Sequence, residues 1–367
     1  MKIPKVELFE WLLDNFEDAE YILAFSNMEG VTKKEYDELV RYEVPPDFDM
    51  GWDAHYGAPE LNEALGKMYK CNLKNIVTAS GGSEANFLVY LATLDHGDEF
   101  IVEQPGYQPM WLAPEMLGAK KVPWLRRYED DFRLDLDALD GMITDRTRLI
   151  VITNPHNPSG VVADREEELR RLGEFAESKG IYVLIDEVFL DGTFLPQDSG
   201  FGLPNTVITG SMTKVYGLGG HRTGWVIGPE DIAQKCQLAK AHTDAASSRM
   251  GEIMNAHALM SAREHLVQRF NNLSLRNFRI AKKWMGSNPD ILEWVEPHGG
   301  IMCYPRYKAD MGSKELCQKL LDDHGVLVNP GHYFGTEGHF RLSYACPEDV
   351  LIRGLEEIAK CLNGLKG

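Results

Sequence analysis

Between residues 75 and 230, short apolar runs alternate with amphipathic stretches, and this alternation limits the chain to few folds. A strand that is buried on both faces is a continuous apolar run, and strands that alternate with helices form parallel sheets. We therefore predict an α/β domain with a mostly parallel central sheet. The predicted strands lie at 76–79, 99–103, 148–153, 181–186, 205–210 and 224–228, with helices between them at 82–94 and 164–180.

The remainder of the chain predicts a second, smaller domain. A chain of 367 residues is long for one hydrophobic core, so two domains are expected. A long helical pattern at 250–285 precedes shorter elements of α+β character. These are strands at 301–305 and 339–345 and helices at 313–324 and 347–363. We predict a large domain at 48–284 and a discontinuous small domain formed by 1–47 and 285–367.

Composition argues against several classes of partner. The formal charge of −18 disfavours nucleic acid, which requires clustered lysine and arginine. No apolar run approaches the length of a membrane span, and the acidic N-terminus resembles neither a signal peptide nor a transit peptide. The six cysteines are scattered without a CxxC pair. We therefore expect reduced thiols, a cytoplasmic location and no metal site.

The segment GSMTKVYGLGGHRTGW at 210–225 carries the most chemical information. It follows a buried strand, so its polar residues emerge at the carboxyl end of the sheet, where α/β proteins bind ligands. Ser211, Thr213, Lys214 and Arg222 share this glycine-rich loop. A single lysine at a strand end is usually a surface residue, so Lys214 has to be judged with other motifs.

Two further segments carry candidate binding groups. SGGSEANF at 80–87 lies where a strand turns into a helix, and a helix N-terminus offers unpaired N–H groups to an anion. A simple helix cap is the alternative there. Asp186 ends a buried strand, and a buried carboxylate requires a partner.

The lysine segment resembles that of class I/II aminotransferases, in which S-x-[ST]-K is followed eight residues later by arginine in G-x-R-x-G. The resemblance implies a fold-type I enzyme that uses pyridoxal 5'-phosphate (PLP). It further implies that Lys214 forms a Schiff base with PLP, and that Ser211 and Arg222 hold the phosphate. An arginine fork suits a phosphate because it meets two oxygens at once.

Other motifs resemble the family in the same order along the chain. By this resemblance Gly81, Gly82 and Ser83 form the phosphate cup. Tyr107, in EQPGYQPM, stacks on the cofactor ring. Asn157, in TNPHNPSG, donates to the ring oxygen, and its bond to Pro158 is a candidate cis peptide.

The resemblance also assigns Asp186 to the protonated ring nitrogen, so that each charge stabilises the other. A ring held in this form serves as an electron sink. A helix cap or a surface ion pair is the alternative for this aspartate.

Substrate contacts are implied with fewer matching residues. Arg341, in HFRLSYA, matches the arginine that binds the substrate carboxylate, and Gly30 matches the N-terminal segment that closes over it. Tyr56 matches a tyrosine that reaches the phosphate of the neighbouring subunit, so a homodimer with shared active sites is implied. The implied reaction moves an amino group from an L-amino acid to a 2-oxo acid by a ping-pong mechanism, with the substrate unknown.

Phe189 departs from the family, which usually has a tyrosine there that donates to the cofactor's ring oxygen. Without that donor we expect the Schiff base of Lys214 to keep its proton to higher pH. The departure leaves a PLP-dependent decarboxylase, lyase or amino-acid oxidase as alternatives. A tolerated packing change is equally compatible with it, and a non-catalytic PLP-binding protein is a third hypothesis.

The specificity of the site is left open by the sequence. Arg249 is a candidate second cation for a dicarboxylic substrate, although a structural salt bridge is the commoner role of such a residue. Aromatic and histidine residues are candidates for the mouth of the site: Trp52, His55, His332, Tyr333 and Phe334.

Overall fold

A computed structural model describes residues 3–51 and 55–365. Its strands are β1 (Tyr21–Ile22), β2 (Ile76–Ala79), β3 (Glu99–Gln104), β4 (Lys120–Leu125), β5 (Thr147–Thr153), β6 (Tyr182–Asp186), β7 (Thr206–Ser211), β8 (Gly224–Ile227), β9 (Leu292–Glu293), β10 (Met302–Cys303), β11 (Arg306–Tyr307), β12 (Val326–Leu327), β13 (Asn329–Pro330) and β14 (Phe340–Ser343). Its helices are α1 (Glu7–Asn15), α2 (Lys33–Val40), α3 (Pro59–Tyr69), α4 (Gly82–Thr93), α5 (Pro109–Met116), α6 (Arg170–Lys179), α7 (Glu230–Lys240), α8 (Arg249–Ser261), α9 (Arg263–Ser287), α10 (Ser313–His324) and α11 (Glu348–Gly364).

The central sheet has seven strands in the order β2-β8-β7-β6-β5-β3-β4. The pairs from β7 through β4 are parallel, whereas β8 runs antiparallel to both of its neighbours. The predicted mostly parallel α/β sheet is therefore confirmed. The carboxyl ends of β5, β6 and β7 meet at one edge, and this edge carries the predicted site.

Helices cover both faces of this sheet. In β5, Leu149 and Val151 pack into one core cluster with residues of α4, α5 and α7. Ile150 and Ile152 pack into another cluster with residues of α3, α6 and α8. Successive side chains of a strand point to opposite faces, so a strand between two helical layers must be apolar throughout.

Two elements differ from the sequence prediction. Strand β4 was missed because it is an edge strand with mostly exposed or half-buried residues and a proline at Pro123. The helix predicted at 250–285 is two helices, because Ala262 leaves the helical conformation with φ −132° and ψ 5°. Alanine favours helices, so composition gives no sign of this break.

A third core cluster is built from both ends of the chain, together with Phe132, Phe189 and Val215 of the central segment. Strand β14 pairs with β10 and β13, and β1 pairs with β12 in parallel. Trp11 of α1 donates its indole N–H to the carbonyl of Val328 at 2.9 Å. Helix α9 contributes residues to this core and to the large-domain core. The domain limits given above remain predictions.

Within the described ranges, no helix is both long and apolar enough to cross a membrane.

Candidate active site

A cavity of about 150 Å3 lies at the carboxyl ends of β5, β6 and β7. It brings together most of the residues that the sequence singled out. Those lining it are Gly82, Ser83, Tyr107, Asn157, Asp186, Ser211, Lys214 and Arg222. Parallel strands end at the same edge of a sheet, so motifs far apart in sequence meet there.

Lys214 is half-buried in the loop after β7. Its Nζ donates to Ser26 Oγ at 3.2 Å and lies 5.8 Å from the ring centroid of Phe189. Burial, and after it the positive charge of Arg341, lower the lysine pKa to about 8, while the negative charge of Asp186 opposes them. A lysine amine with a depressed pKa is a nucleophile at neutral pH, because more of it is unprotonated.

Asp186 ends β6 with its carboxylate buried. Oδ2 accepts a hydrogen bond from Asn86 Nδ2 at 2.7 Å, and Oδ1 accepts one from the N–H of Val188 at 3.0 Å. Burial raises the pKa of this carboxyl, while the bonds from Asn86 and Val188 lower it. Both of these donors are neutral, so the geometry suits a cationic partner in the cavity.

The N-terminus of α4 and Arg222 form an anion cradle. Gly81 precedes the helix with φ +92°, and a side chain there would collide with the Arg222 guanidinium. Arg222 Nη2 donates to the carbonyl of Ser80 at 3.0 Å, and Nη1 donates to that of Gly219 at 3.2 Å. These carbonyl contacts hold the guanidinium at the helix N-terminus, where unpaired N–H groups favour a phosphate.

Arg341 is held beside the cavity by a second set of contacts. Nη1 donates to Asn157 Oδ1 at 3.0 Å, and Nη2 donates to the carbonyl of Ala24 at 3.0 Å. Its guanidinium lies 4.9 Å from the Phe334 ring centroid, and burial lowers its pKa to about 10. Among the described residues, Nε has no hydrogen-bond partner. A buried arginine with a spare donor is suited to a carboxylate.

Tyr107 follows β3 and lines the cavity from the side of α5. Burial raises the pKa of its phenol well above the usual range, so the ring stays neutral. Its ring lies 6.1 Å from that of Phe9 in α1, which packs behind it. The position is compatible with stacking on a planar ligand.

The predicted cis peptide at Asn157–Pro158 is wrong. The cis bonds lie at Gln104–Pro105 and Asn154–Pro155. The run NPHNP contains two Asn–Pro bonds of similar local preference, and sequence alone cannot separate them.

Four of the predicted residues do not line this cavity: Gly81 and Arg341, which lie beside it, and Gly30 and Tyr56. Gly30 lines a neighbouring cavity with Asn27 and Met28, and Ser26 is the residue of this segment that contacts Lys214. Tyr56 is 71% exposed on the surface before α3. The roles of Gly30 at the carboxylate and of Tyr56 at a neighbouring subunit stay predictions.

The candidate specificity residues are largely engaged in other contacts. Arg249 donates to the carbonyl of Asp49 at 3.0 Å and pairs with its carboxylate at 3.7 Å, as expected of a structural salt bridge. His332 pairs with Glu337 at 2.9 Å, and Phe334 lies under Arg341. Trp52 lies outside the described residues.

Sequence reasoning missed several polar residues around the site. Asn86 holds Asp186, and Ser26 contacts Lys214. Thr153 accepts a hydrogen bond from the N–H of Asn157 at 2.9 Å and donates to Glu103 at 2.6 Å. Asn86 and Thr153 stand within the motifs quoted above, so a polar residue in an otherwise apolar context was the available signal.

The residues present fit PLP. An anion cradle, a buried carboxylate and a lysine of depressed pKa share one cavity, and these groups match a phosphate, a ring nitrogen and an aldehyde. A side chain at Gly81 would collide with the Arg222 guanidinium, so glycine is what allows this arginine to approach the backbone at the start of α4 closely. Fold and site together define a PLP-dependent enzyme.

The match to known families agrees with this assignment. Residues 54–358 match the family model described as Aminotransferase class I and II. The chain therefore belongs to the class I and II aminotransferase family, which confirms the predicted family, fold and type of enzyme. The family implies pyridoxal phosphate as the cofactor.

Individual relatives cover nearly the whole chain. It is 29% identical to capreomycidine synthase of Streptomyces vinaceus, over 98% of this chain and 94% of that enzyme. It is 30% identical to an aspartate aminotransferase of Pyrococcus horikoshii, over 87% of this chain and 85% of that one. The crystal structure of a PLP-dependent aminotransferase from Streptococcus suis superposes with a TM-score of 0.92 at 27% identity, covering 100% of both chains.

Proposed function

We propose that this protein is a homodimeric aminotransferase that uses pyridoxal 5'-phosphate to transfer the amino group of an L-amino acid to a 2-oxo acid. The observation that carries the proposal is the placement of Lys214, a buried amine whose pKa is about 8, in one cavity with Asp186 and beside Arg341. The unpaired cysteines of the described structure support a cytoplasmic location.

Each end of the cavity would hold one part of the cofactor. The phosphate would be bound by Arg222, Ser211, Ser83 and the N–H groups at the start of α4. Asp186 would pair with the ring nitrogen, Asn157 would donate to the ring oxygen, and Tyr107 would lie against the ring. When bound, PLP supplies an electron-withdrawing ring that makes the Cα–H bond of an amino acid acidic.

The remaining residues would bind and deprotonate the amino acid. Arg341 would bind the α-carboxylate through Nε, which has no hydrogen-bond partner among the described residues. The Lys214 amine would then take the proton from Cα as a general base and return it at the other end of the transfer as a general acid. Such a role requires a neutral amine, and the pKa of about 8 raises the neutral fraction of Lys214 near pH 7 far above that of an exposed lysine.

A single-turnover experiment tests the proposal. The purified protein is loaded with PLP and mixed with amino acids one at a time, without any 2-oxo acid. The expected result is stoichiometric conversion of the cofactor to pyridoxamine phosphate by at least one amino acid. Lys214→Ala is the matched control and should not convert. Borohydride should attach PLP to Lys214 in the native protein, and labelling elsewhere would contradict the assignment.

A second candidate is an elimination or another PLP-dependent reaction on the same site. Phe189 presents a ring to Lys214 where the family usually has a hydrogen-bond donor, and one relative is named a synthase rather than an aminotransferase. The same experiment separates the two functions. Elimination would regenerate PLP and release an altered product, whereas transamination leaves pyridoxamine phosphate.

A further inference from the structure

Asn86 lies within α4 between two polar groups of the sheet. Its side chain lines the cavity, yet the residue is only 6% exposed. The amide nitrogen donates to Asp186 Oδ2 at 2.7 Å, and Thr209 Oγ1 donates to the amide oxygen at 2.6 Å. Thr209 is fully buried in β7, the strand next to β6. Three buried side chains thus form one hydrogen-bonded row that ends in the cavity.

The direction of this row depends on the charge of Asp186. An ionised carboxylate only accepts hydrogen bonds, so the amide of Asn86 must turn its nitrogen toward it. The amide oxygen then faces Thr209, whose hydroxyl is able to donate. An Asp186 protonated at Oδ2 would instead donate to the amide oxygen and require the opposite orientation of Asn86. The observed row is the one that matches an ionised carboxylate.

The other contacts of Asp186 do not replace this one. Its second oxygen accepts only from the backbone N–H of Val188 among the hydrogen bonds of the described structure. The carboxyl is buried, and burial disfavours its charge. Asn86 is the side-chain donor that offsets this penalty before any ligand enters the cavity.

We propose that Asn86, oriented by Thr209, is a positioning residue that keeps Asp186 ionised and aims its carboxylate at the ring nitrogen of the cofactor. This inference rests on the proposed function, because it assigns a partner to Asp186. Without Asn86, the proton shared by Asp186 and the ring nitrogen moves toward the carboxylate, and the ring withdraws electrons less strongly.

The test compares the native holoenzyme with Asn86→Leu, which is similar in size and cannot donate. PLP carrying an NMR-active isotope at its ring nitrogen reports protonation of that atom directly in solid-state spectra. We expect the ring-nitrogen signal of Asn86→Leu to move toward that of an unprotonated ring. A hydrogen bond to a charged group implies a fall in kcat of about 10- to 100-fold. KM for the amino acid should change little, because Arg341 is untouched.

Two further variants guard against a purely structural effect. Thr209→Val removes only the group that orients Asn86. It should shift the ring-nitrogen signal in the same direction as Asn86→Leu does, but by a smaller amount. Tyr90→Phe is the matched control on the same helix. Its hydroxyl contacts Met110, which also contacts Asn86, but it makes no hydrogen bond to Asp186. This variant should leave the signal and kcat unchanged.

Each outcome is decisive for one of the two proposals. A native protein that never binds PLP sinks the proposed function and with it this inference. Native-like binding with an unshifted signal in Asn86→Leu overturns the role of Asn86 and leaves the proposed function intact. If Asn86→Leu does not fold, an unshifted signal in Thr209→Val overturns the role as well.

Discussion

The chemistry of single residues in this site is governed by burial. Lys214 has its pKa lowered to about 8 because the folded protein removes its ammonium group from water, and Arg341 adds repulsion. The neutral amine is therefore favoured in the folded state at pH values where an exposed lysine is still charged.

This shift predicts the pH dependence of cofactor capture. Only the neutral amine attacks an aldehyde, so the rate at which the apo-protein captures PLP should rise about tenfold per pH unit below the lysine pKa. The rise should level off above about pH 8, the pKa in the folded protein. Stopped-flow absorbance measures the rate. A plateau reached only near pH 10.5, the ordinary lysine value, would contradict the depressed pKa.

Phe189 gives a second prediction at this scale. Its buried ring faces Lys214 and offers no hydrogen-bond donor. In Phe189→Tyr, a phenol would donate to the anionic ring oxygen of bound PLP and stabilise the deprotonated chromophore. The pH midpoint of the visible absorbance change should fall by about one to two units. Phe194→Tyr, whose ring packs on Phe278 instead, should leave the midpoint in place.

At the scale of elements, a buried ion pair links β3 and the end of β4 to β5, the strand that precedes Asn157. Arg126, just after β4, donates to Glu103 of β3 at 2.7 Å, and both side chains are almost fully buried. Glu103 also accepts from the N–H and the hydroxyl of Thr153 in β5, each at 2.6 Å. Thr153 in turn accepts from the N–H of Asn157. The ends of three elements are thus held in register beneath the site.

Removing one member of this pair should destabilise the protein strongly. Arg126→Met leaves Glu103 buried without its cation, at a cost of about 3–5 kcal/mol in the free energy of unfolding. The double variant Arg126→Met with Glu103→Gln should recover part of that loss, because no unpaired charge remains. Denaturant unfolding followed by circular dichroism measures both. Lys179→Met, which breaks an exposed pair with Asp140, is the control and should show no resolvable change.

At the scale of the whole molecule, the proposed homodimer has a testable consequence. If Tyr56 serves the phosphate of the neighbouring subunit, Tyr56→Phe homodimers should bind PLP about tenfold more weakly, as expected for one lost bond to a charged group. Lys214→Ala homodimers should be inactive. A mixed dimer of these two chains would hold one site with both native residues, because the two defects would fall together in the other site.

The mixed dimer should therefore show about half the native activity at PLP concentrations that saturate only the native site. Tyr128→Phe replaces another surface-region tyrosine and should behave as native. A mixed dimer no more active than the Tyr56→Phe homodimer would show that Tyr56 acts in the active site of its own subunit. Native PLP affinity in Tyr56→Phe would remove the residue from the site altogether.

Much of the fold could be predicted because its central strands are buried on both faces. Mostly apolar runs form β2, β3, β5, β6, β7 and β8. The sequence prediction placed each of these strands within a residue or two of its observed limits. Strand β4 was missed because an exposed edge needs no such run. The break at Ala262 was missed because alanine favours helices, so the residue gives no local sign of it.

The sequence by itself determined the chemical groups of the site. Short motifs at the ends of strands contain Lys214, Asp186, Asn157 and Arg222. Because parallel strands end at the same edge of a sheet, these motifs lie together there whatever their distance in sequence. The physical reason is local: a strand's end and the loop after it are adjacent in sequence.

Only the tertiary structure decided which groups control those residues. Asn86 meets Asp186 across 100 positions of sequence, and Ser26 meets Lys214 across 188. The depressed pKa of Lys214 likewise comes from burial beneath segments remote in sequence. Such contacts depend on how helices and the small domain pack against the sheet, and no local pattern encodes that packing.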